Sequence, residues 1–237
     1  MSTLTVARWT GAAYLGLAVA GGVGHLGLTG SLVVGGDPTA TLQNLHDHPL
    51  VAQLAVMAEL LVVITQALAA WGFWALFHRD APAAAFGTAS FGLANAVLIL
   101  GSAGMLQTAG VVASDPSLAP GGDAAATVGL LAELSSAAWQ TGAVFFGLWL
   151  IPMGLFALTT ARMPRALGWA LVIGGVAYVV SSVLLAFPAL TALGTPLAMV
   201  ATVGELWMIG YLLSVGIRGG RGEQPVREPL RQGVAAS

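Results

Sequence analysis

Four ionisable or phenolic side chains lie inside apolar runs, where such groups are expensive and usually face a bundle interior or a wet cavity. They are His25 in "GGVGHLGLTG", Glu59 in "VMAELLVV", Tyr178 in "GGVAYVVSS" and Glu205 in "GELWMIGYLL". On a helix, positions three, four and seven apart share a face. By that rule Glu205 shares its face with Thr202, Ala201 and Ala198, and Glu59 with Ala55, Ala52 and Gln66. His25 shares its face with Gly21, Gly22, Ala18 and Thr29, and Tyr178 with Gly174, Gly175, Ser181 and Ser182. Small neighbours let helices approach closely, so these faces are expected to point inward. Two carboxyls, an imidazole and a phenol in a low-dielectric layer form an acid/base set, the precondition for proton-transfer chemistry. The same set suits cation binding or proton-coupled transport. The competing reading is a hydrogen-bonded clasp that only fixes helix packing, each contact contributing ~0.6–2 kcal/mol.

The elements that must hold these groups follow from composition. The 237 residues are 57% hydrophobic and 8% charged, against about 25% charged in soluble domains. Such a chain cannot cover a water-facing surface, so its surface is expected to face lipid. Six segments reach the roughly 20 apolar residues a membrane helix needs: 10–34, 51–77, 84–112, 138–159, 166–187 and 197–217. Turn chemistry separates them, as in "GGDP", "RDAP", "DPSLAPGGD" and "ARMPR". The first segment is too long for a signal peptide and is read as a retained span. The expected fold is therefore all-α, a six-helix transmembrane bundle over 1–222 followed by a polar cytoplasmic tail over 223–237.

Residues 124–159 read as one helix-forming stretch of about 54 Å, longer than the ~30 Å hydrocarbon core. A short outer-surface helix over 124–137 before the fourth span is the expected solution, and it leaves Glu133 outside the hydrocarbon. All eight basic residues are arginines. Arg8, Arg79, Arg162, Arg165, Arg218, Arg221, Arg227 and Arg231 fall on one side of a six-span arrangement. The positive-inside rule makes that side cytoplasmic, with both termini there. Counted from the outer ends of their spans, the four polar residues lie at one depth, roughly 12–14 Å in.

Other candidates carry less specific patterns. Trp207, Asn95 and Gln66 are candidate ligand contacts, and Asn95 and Gln107 are expected to make interhelical hydrogen bonds. Trp139, Trp149, Trp169 and Trp207 could line a pocket for an apolar ligand, while Trp139 and Trp169, near span ends, best suit an interfacial belt. His46 and His48, in an outer loop, make a weak alternative metal site of borderline ligands. No cofactor is called for. Cysteine is absent, so thiolate sites and disulfides are excluded. A net charge of −2 gives no basic stripe for nucleic acid. No zinc-protease, P-loop, nucleophile-elbow or dinucleotide motif is present.

The stretches "GAAYLGLAVAGG" (11–22), "GDPTATLQNL" (36–45), "FFGLWLIPMGLFALTTARMPRALGWALVIGGVAYVV" (145–180) and "GELWMIGYLLSVGIRG" (204–219) resemble a bacterial membrane family catalogued as domain of unknown function 4386. The likeness covers about residues 7–219. It implies a six-helix bacterial inner-membrane protein and implies no activity. Glu205 and Tyr178 fall on the family's recurring pattern and His25 does not. Asn95 stands where relatives often carry Glu.

The leading functional expectation is a lipid-embedded pocket that binds a small lipophilic molecule, with acid/base transformation by Glu59 and Glu205 as a further step. A small proton-coupled permease or export component, and a structural or regulatory membrane subunit, are the alternatives. Whether the chain is an enzyme, and its oligomeric state, are left open at this point.

Overall fold

The computed structural model describes residues 2–185 and 187–217, which form helices and short connections with no strand among them. The helices are α1 (Thr3–Leu32), α2 (Pro38–Asp47), α3 (Pro49–Phe77), α4 (Pro82–Ser114), α5 (Ala124–Thr160), α6 (Arg165–Leu185) and α7 (Thr191–Ser214). The starts are written in the sequence. Ser2 and Asp123 cap α1 and α5 by accepting the backbone N–H of Thr5 and Ala126, and proline opens α2, α3 and α4.

Five helices, α1 and α3 to α6, are long and apolar enough to cross a membrane. Their outward faces carry large apolar side chains such as Leu26, Leu61, Phe86 and Val97. Helices apolar all round belong in lipid, and this is a multi-pass membrane protein.

Each long helix packs on the next in chain order, and α7 closes the ring on α1 over the thinnest of these contacts. At the centre, Trp149 is fully buried among Tyr14, Phe73 and Phe146, and Phe77 stacks on Phe156 at 3.7 Å. The α5–α6 contact is closest where Gly147 and Gly154 face Gly175 and Gly168. A Cβ on Gly147 would lie 2.9 Å from the Gly175 carbonyl oxygen, and one on Gly154 2.6 Å from that of Gly168. Small residues at such crossings let backbones meet where lipid supplies no hydrophobic drive.

Two expectations are revised. The region 124–137 is not a separate helix. Nothing in it breaks the backbone pattern, and α5 runs unbroken for 37 residues, about 55 Å at 1.5 Å each. Its first turns run level with the end of α4, the two helices joined by the Ser102–Ser135 hydrogen bond, and Ala124, Val128 and Ala132 are buried there. The short extra helix lies instead at 38–47, within the stretch expected to be an outer loop. Asp37 accepts the Ala40 N–H there, with proline next, and Thr41 and Leu45 are buried. This α2 lies across α4 and α5, with Pro38 against Gly129. The helix that carries the first apolar segment begins at Thr3. The arginines from Arg218 onward and the 223–237 tail lie outside the described residues.

Candidate functional site

Four helices present stripes of one spacing toward a common space. On α1 the stripe is Tyr14, Ala18, Gly21 and His25; on α5 it is Trp139, Ala143 and Phe146. On α6 it is Tyr178, Ser181, Ser182 and Leu185; on α7 it is Thr202, Glu205, Leu206 and Ile209. These side chains enclose a cleft of about 470 Å³, within the range of small-molecule sites.

The cleft exists because α1 and α7 touch along only half their length. Toward the end away from α2 they are in close contact: a Cβ on Gly11 would lie 3.0 Å from Leu212 Cβ, and Gly216 meets Leu4. Toward the α2 end they diverge, and α1 makes no substantial contact with α6. Leu26 and Leu206 stand at the rim, exposed on the apolar surface of the bundle. The opening therefore faces sideways, toward lipid.

Where the two helices part, the Tyr14 hydroxyl donates to Glu205 Oε1 at 2.9 Å. Tyr14 is itself fixed edge-on to Trp149 and Phe73, at 5.2 and 5.8 Å between ring centres. Glu205 is the acidic side chain of the lining, and no arginine lies there. Tyr178 packs against Phe146 at 5.6 Å on the opposite wall. The two serines beside it are committed to backbone carbonyls, Ser181 to Gly194 and Ser182 to Tyr178.

On the α1 side the helix widens to π-helical winding over Gly22–Thr29. Such segments are rare and recur at functional sites. Gly24 within it meets Ala58 of α3 so closely that a Cβ would lie 2.5 Å from the alanine methyl. The same segment carries His25, whose ring stacks on Trp139 at 4.1 Å. His25 Nδ1 is buried with no hydrogen-bond partner among the described residues. The Trp139 indole N–H donates to Glu59 Oε1 at 3.0 Å.

Of the four residues that sequence brings forward, His25, Tyr178 and Glu205 line one cleft. Glu59 stands apart: it is 1% exposed and reaches the cleft only through Trp139. Gln66 and Asn95 hydrogen-bond each other at 2.8 Å, with Asn95 touching the lining and Gln66 fully buried behind it. Trp207 is 41% exposed and is not part of the lining, because it is two residues from Glu205 and so on another side of α7. Gln107 is exposed on α4 rather than bonded between helices. His46 bonds the Ala113 carbonyl through Nδ1, fixing α2 to α4, and His48 is exposed. No group of three metal-ligating side chains occurs among the described residues.

Of the aromatic residues of the cleft, Tyr14 escapes the sequence reading, and Trp139 falls to its pocket alternative rather than to the belt. Tyr14 shares the 4-3-4 spacing of Tyr14, Ala18, Gly21 and His25, a legible signal. Trp139 has the residue type of a belt position, but α5 continues well past it, so it lies inside the bundle rather than at a span end.

The family model described as "Domain of unknown function (DUF4386)" matches residues 9–216. No curated protein and no solved structure matches the chain.

Proposed function

The chain belongs to this family of unknown function, and on that premise we propose that it binds a small lipophilic molecule drawn sideways from the bilayer into the cleft between α1, α5, α6 and α7. The observation that carries this reading is a laterally open apolar cleft with the Glu205–Tyr14 pair at its foot. The bound molecule's apolar body lies against Trp139, Phe146, Leu185 and Leu206, and its polar group meets Glu205, Tyr178 and His25. Glu205, held by Tyr14, is the acid/base group for any proton exchanged with the ligand. Glu59 acts through the Trp139 ring as a positioning residue. The buried Gln66–Asn95 and Ser102–Ser135 pairs act as packing clasps.

In this reading the chain crosses a bacterial inner membrane six times, α7 being the sixth crossing, with both ends cytoplasmic. The arginines support that orientation, as does the Arg162–Asp80 ion pair between the α5–α6 and α3–α4 connections.

Absence of cysteine makes the test clean. Ala143→Cys supplies a single thiol in the cleft, and Ala109→Cys supplies one that is fully buried. In proteoliposomes, N-pyrenylmaleimide is expected to label the first and spare the second. Triphenylphosphine oxide or tetraphenylphosphonium is expected to slow that labelling saturably. Equal labelling of both thiols, or no protection by any lipophile, refutes the reading.

A further inference from the structure

We infer that the cleft selects a lipophilic cation. The inference rests on the cleft being a binding site and adds the charge of its occupant.

Three features of different origin carry it. The lining holds one carboxyl, Glu205, one imidazole, His25, and no arginine, so a permanent positive charge finds a partner there and an anion finds no permanent one. The walls near that carboxyl are aromatic, with Trp139, Phe146 and Tyr178 lining the same space. Ring faces attract cations, tryptophan most strongly, and more so where water is excluded. The indole N–H of Trp139 is bonded at the ring edge to a second carboxyl, Glu59, and His25 stacks on one ring face, so the ring is held in place with its other face left for an occupant. The third feature is remote. At the α2 end of the bundle, the end toward which the cleft lies, Asp37, Asp47, Asp115, Asp123 and Glu133 are all exposed. No arginine occurs in these connections. A surface of one sign raises the local concentration of opposite charge and speeds its arrival. Cations are thus gathered at the rim, and the aromatic wall and carboxyl receive them below it.

A charge series of nearly one shape tests this in the Ala143→Cys protein in liposomes. The probes are tetraphenylphosphonium, uncharged triphenylphosphine oxide and anionic tetraphenylborate, each compared at equal membrane-bound concentration. Tetraphenylphosphonium is expected to protect the thiol at about a tenth of the concentration required of the oxide, and tetraphenylborate is expected not to protect. Glu205→Gln is expected to weaken tetraphenylphosphonium protection about thirtyfold, with Glu205→Asp retaining most of it. Trp139→Leu is expected to weaken it roughly three- to tenfold.

If the oxide protects as well as the cation, the inference on charge is overturned while the cleft remains a binding site. If no probe protects, both fall. The comparison of probes requires no change at Glu205, so a poorly folded Gln variant does not blunt it.

Discussion

Tyr14→Phe isolates one oxygen atom at the seam between the first and last helices. The ring stays edge-on to Trp149 and Phe73, so no cavity opens, and the loss is the hydroxyl that donates to Glu205 at 2.9 Å. Interhelical polar contacts in membranes measure about 0.6 kcal/mol on average and up to ~2. This one is short, has a carboxyl acceptor, and bridges the thinnest contact in the ring, which places it in the upper part of that range, at about 1–2 kcal/mol. Glu205→Met removes the acceptor with similar length and leaves the phenol unpaired. A double-mutant cycle then extracts the pair: the two single losses are expected to exceed the double loss by about 1 kcal/mol or more, above the ~0.3–0.5 kcal/mol scatter of independent sites. The assay is reversible unfolding in mixed micelles, followed by circular dichroism as denaturing detergent is titrated. Strict additivity of the two changes refutes the claim that this bond holds α1 to α7.

Four further outcomes are expected. Gly147→Ala places a methyl 2.9 Å from the Gly175 carbonyl oxygen, which cannot rotate away. It is expected to cost about 1–3 kcal/mol in the same unfolding assay, while Gly101→Ala, which meets nothing within 4 Å, is expected to cost nothing. Glu59→Leu strips the Trp139 N–H of its acceptor and is expected to weaken probe protection at Ala143→Cys by roughly tenfold without abolishing maleimide access. Asp80→Ala removes a partly exposed ion pair with Arg162 and is expected to change stability by no more than ~1 kcal/mol, with cleft labelling unaltered. In intact cells, Ser117→Cys is expected to react with a membrane-impermeant maleimide and Arg79→Cys only after permeabilisation, since both positions are exposed at opposite ends of α4 or its approach. Reversed labelling overturns the orientation.

Much of the architecture is legible in the residues because lipid imposes strict demands. An apolar run of span length has few options, and the long helices lie where such runs do. Inward faces are legible for the same reason: a glutamate flanked at helical spacing by alanine and threonine has one economical direction to point. The departures have physical causes. Hydrocarbon thickness argues for a break near 124–137, yet no proline or capping residue interrupts the backbone there; α5 runs on past even Pro152 and ends at Ala161, which takes the left-handed conformation. The α2 helix is announced by Asp37 and Pro38, a start signal outweighed by the polarity of Gln43, Asn44, His46 and Asp47. Trp139 and Tyr14 elude a reading by residue type because an aromatic side chain serves equally in core, belt or binding wall, and only the neighbouring helices decide. Depth alone does not separate Glu59 from Glu205; the ring of Trp139 between Glu59 and the cleft does.

The separation of 191 positions between Tyr14 and Glu205 bears on how the molecule is made. Every other joint in the ring links helices adjacent in the chain and is available as soon as the second of them leaves the translocon. The last joint is not: α1 must wait, one flank unpaired in the bilayer, until α7 has been synthesised. The cleft takes shape at that moment, since a product stalled before α7 lacks one of its four walls.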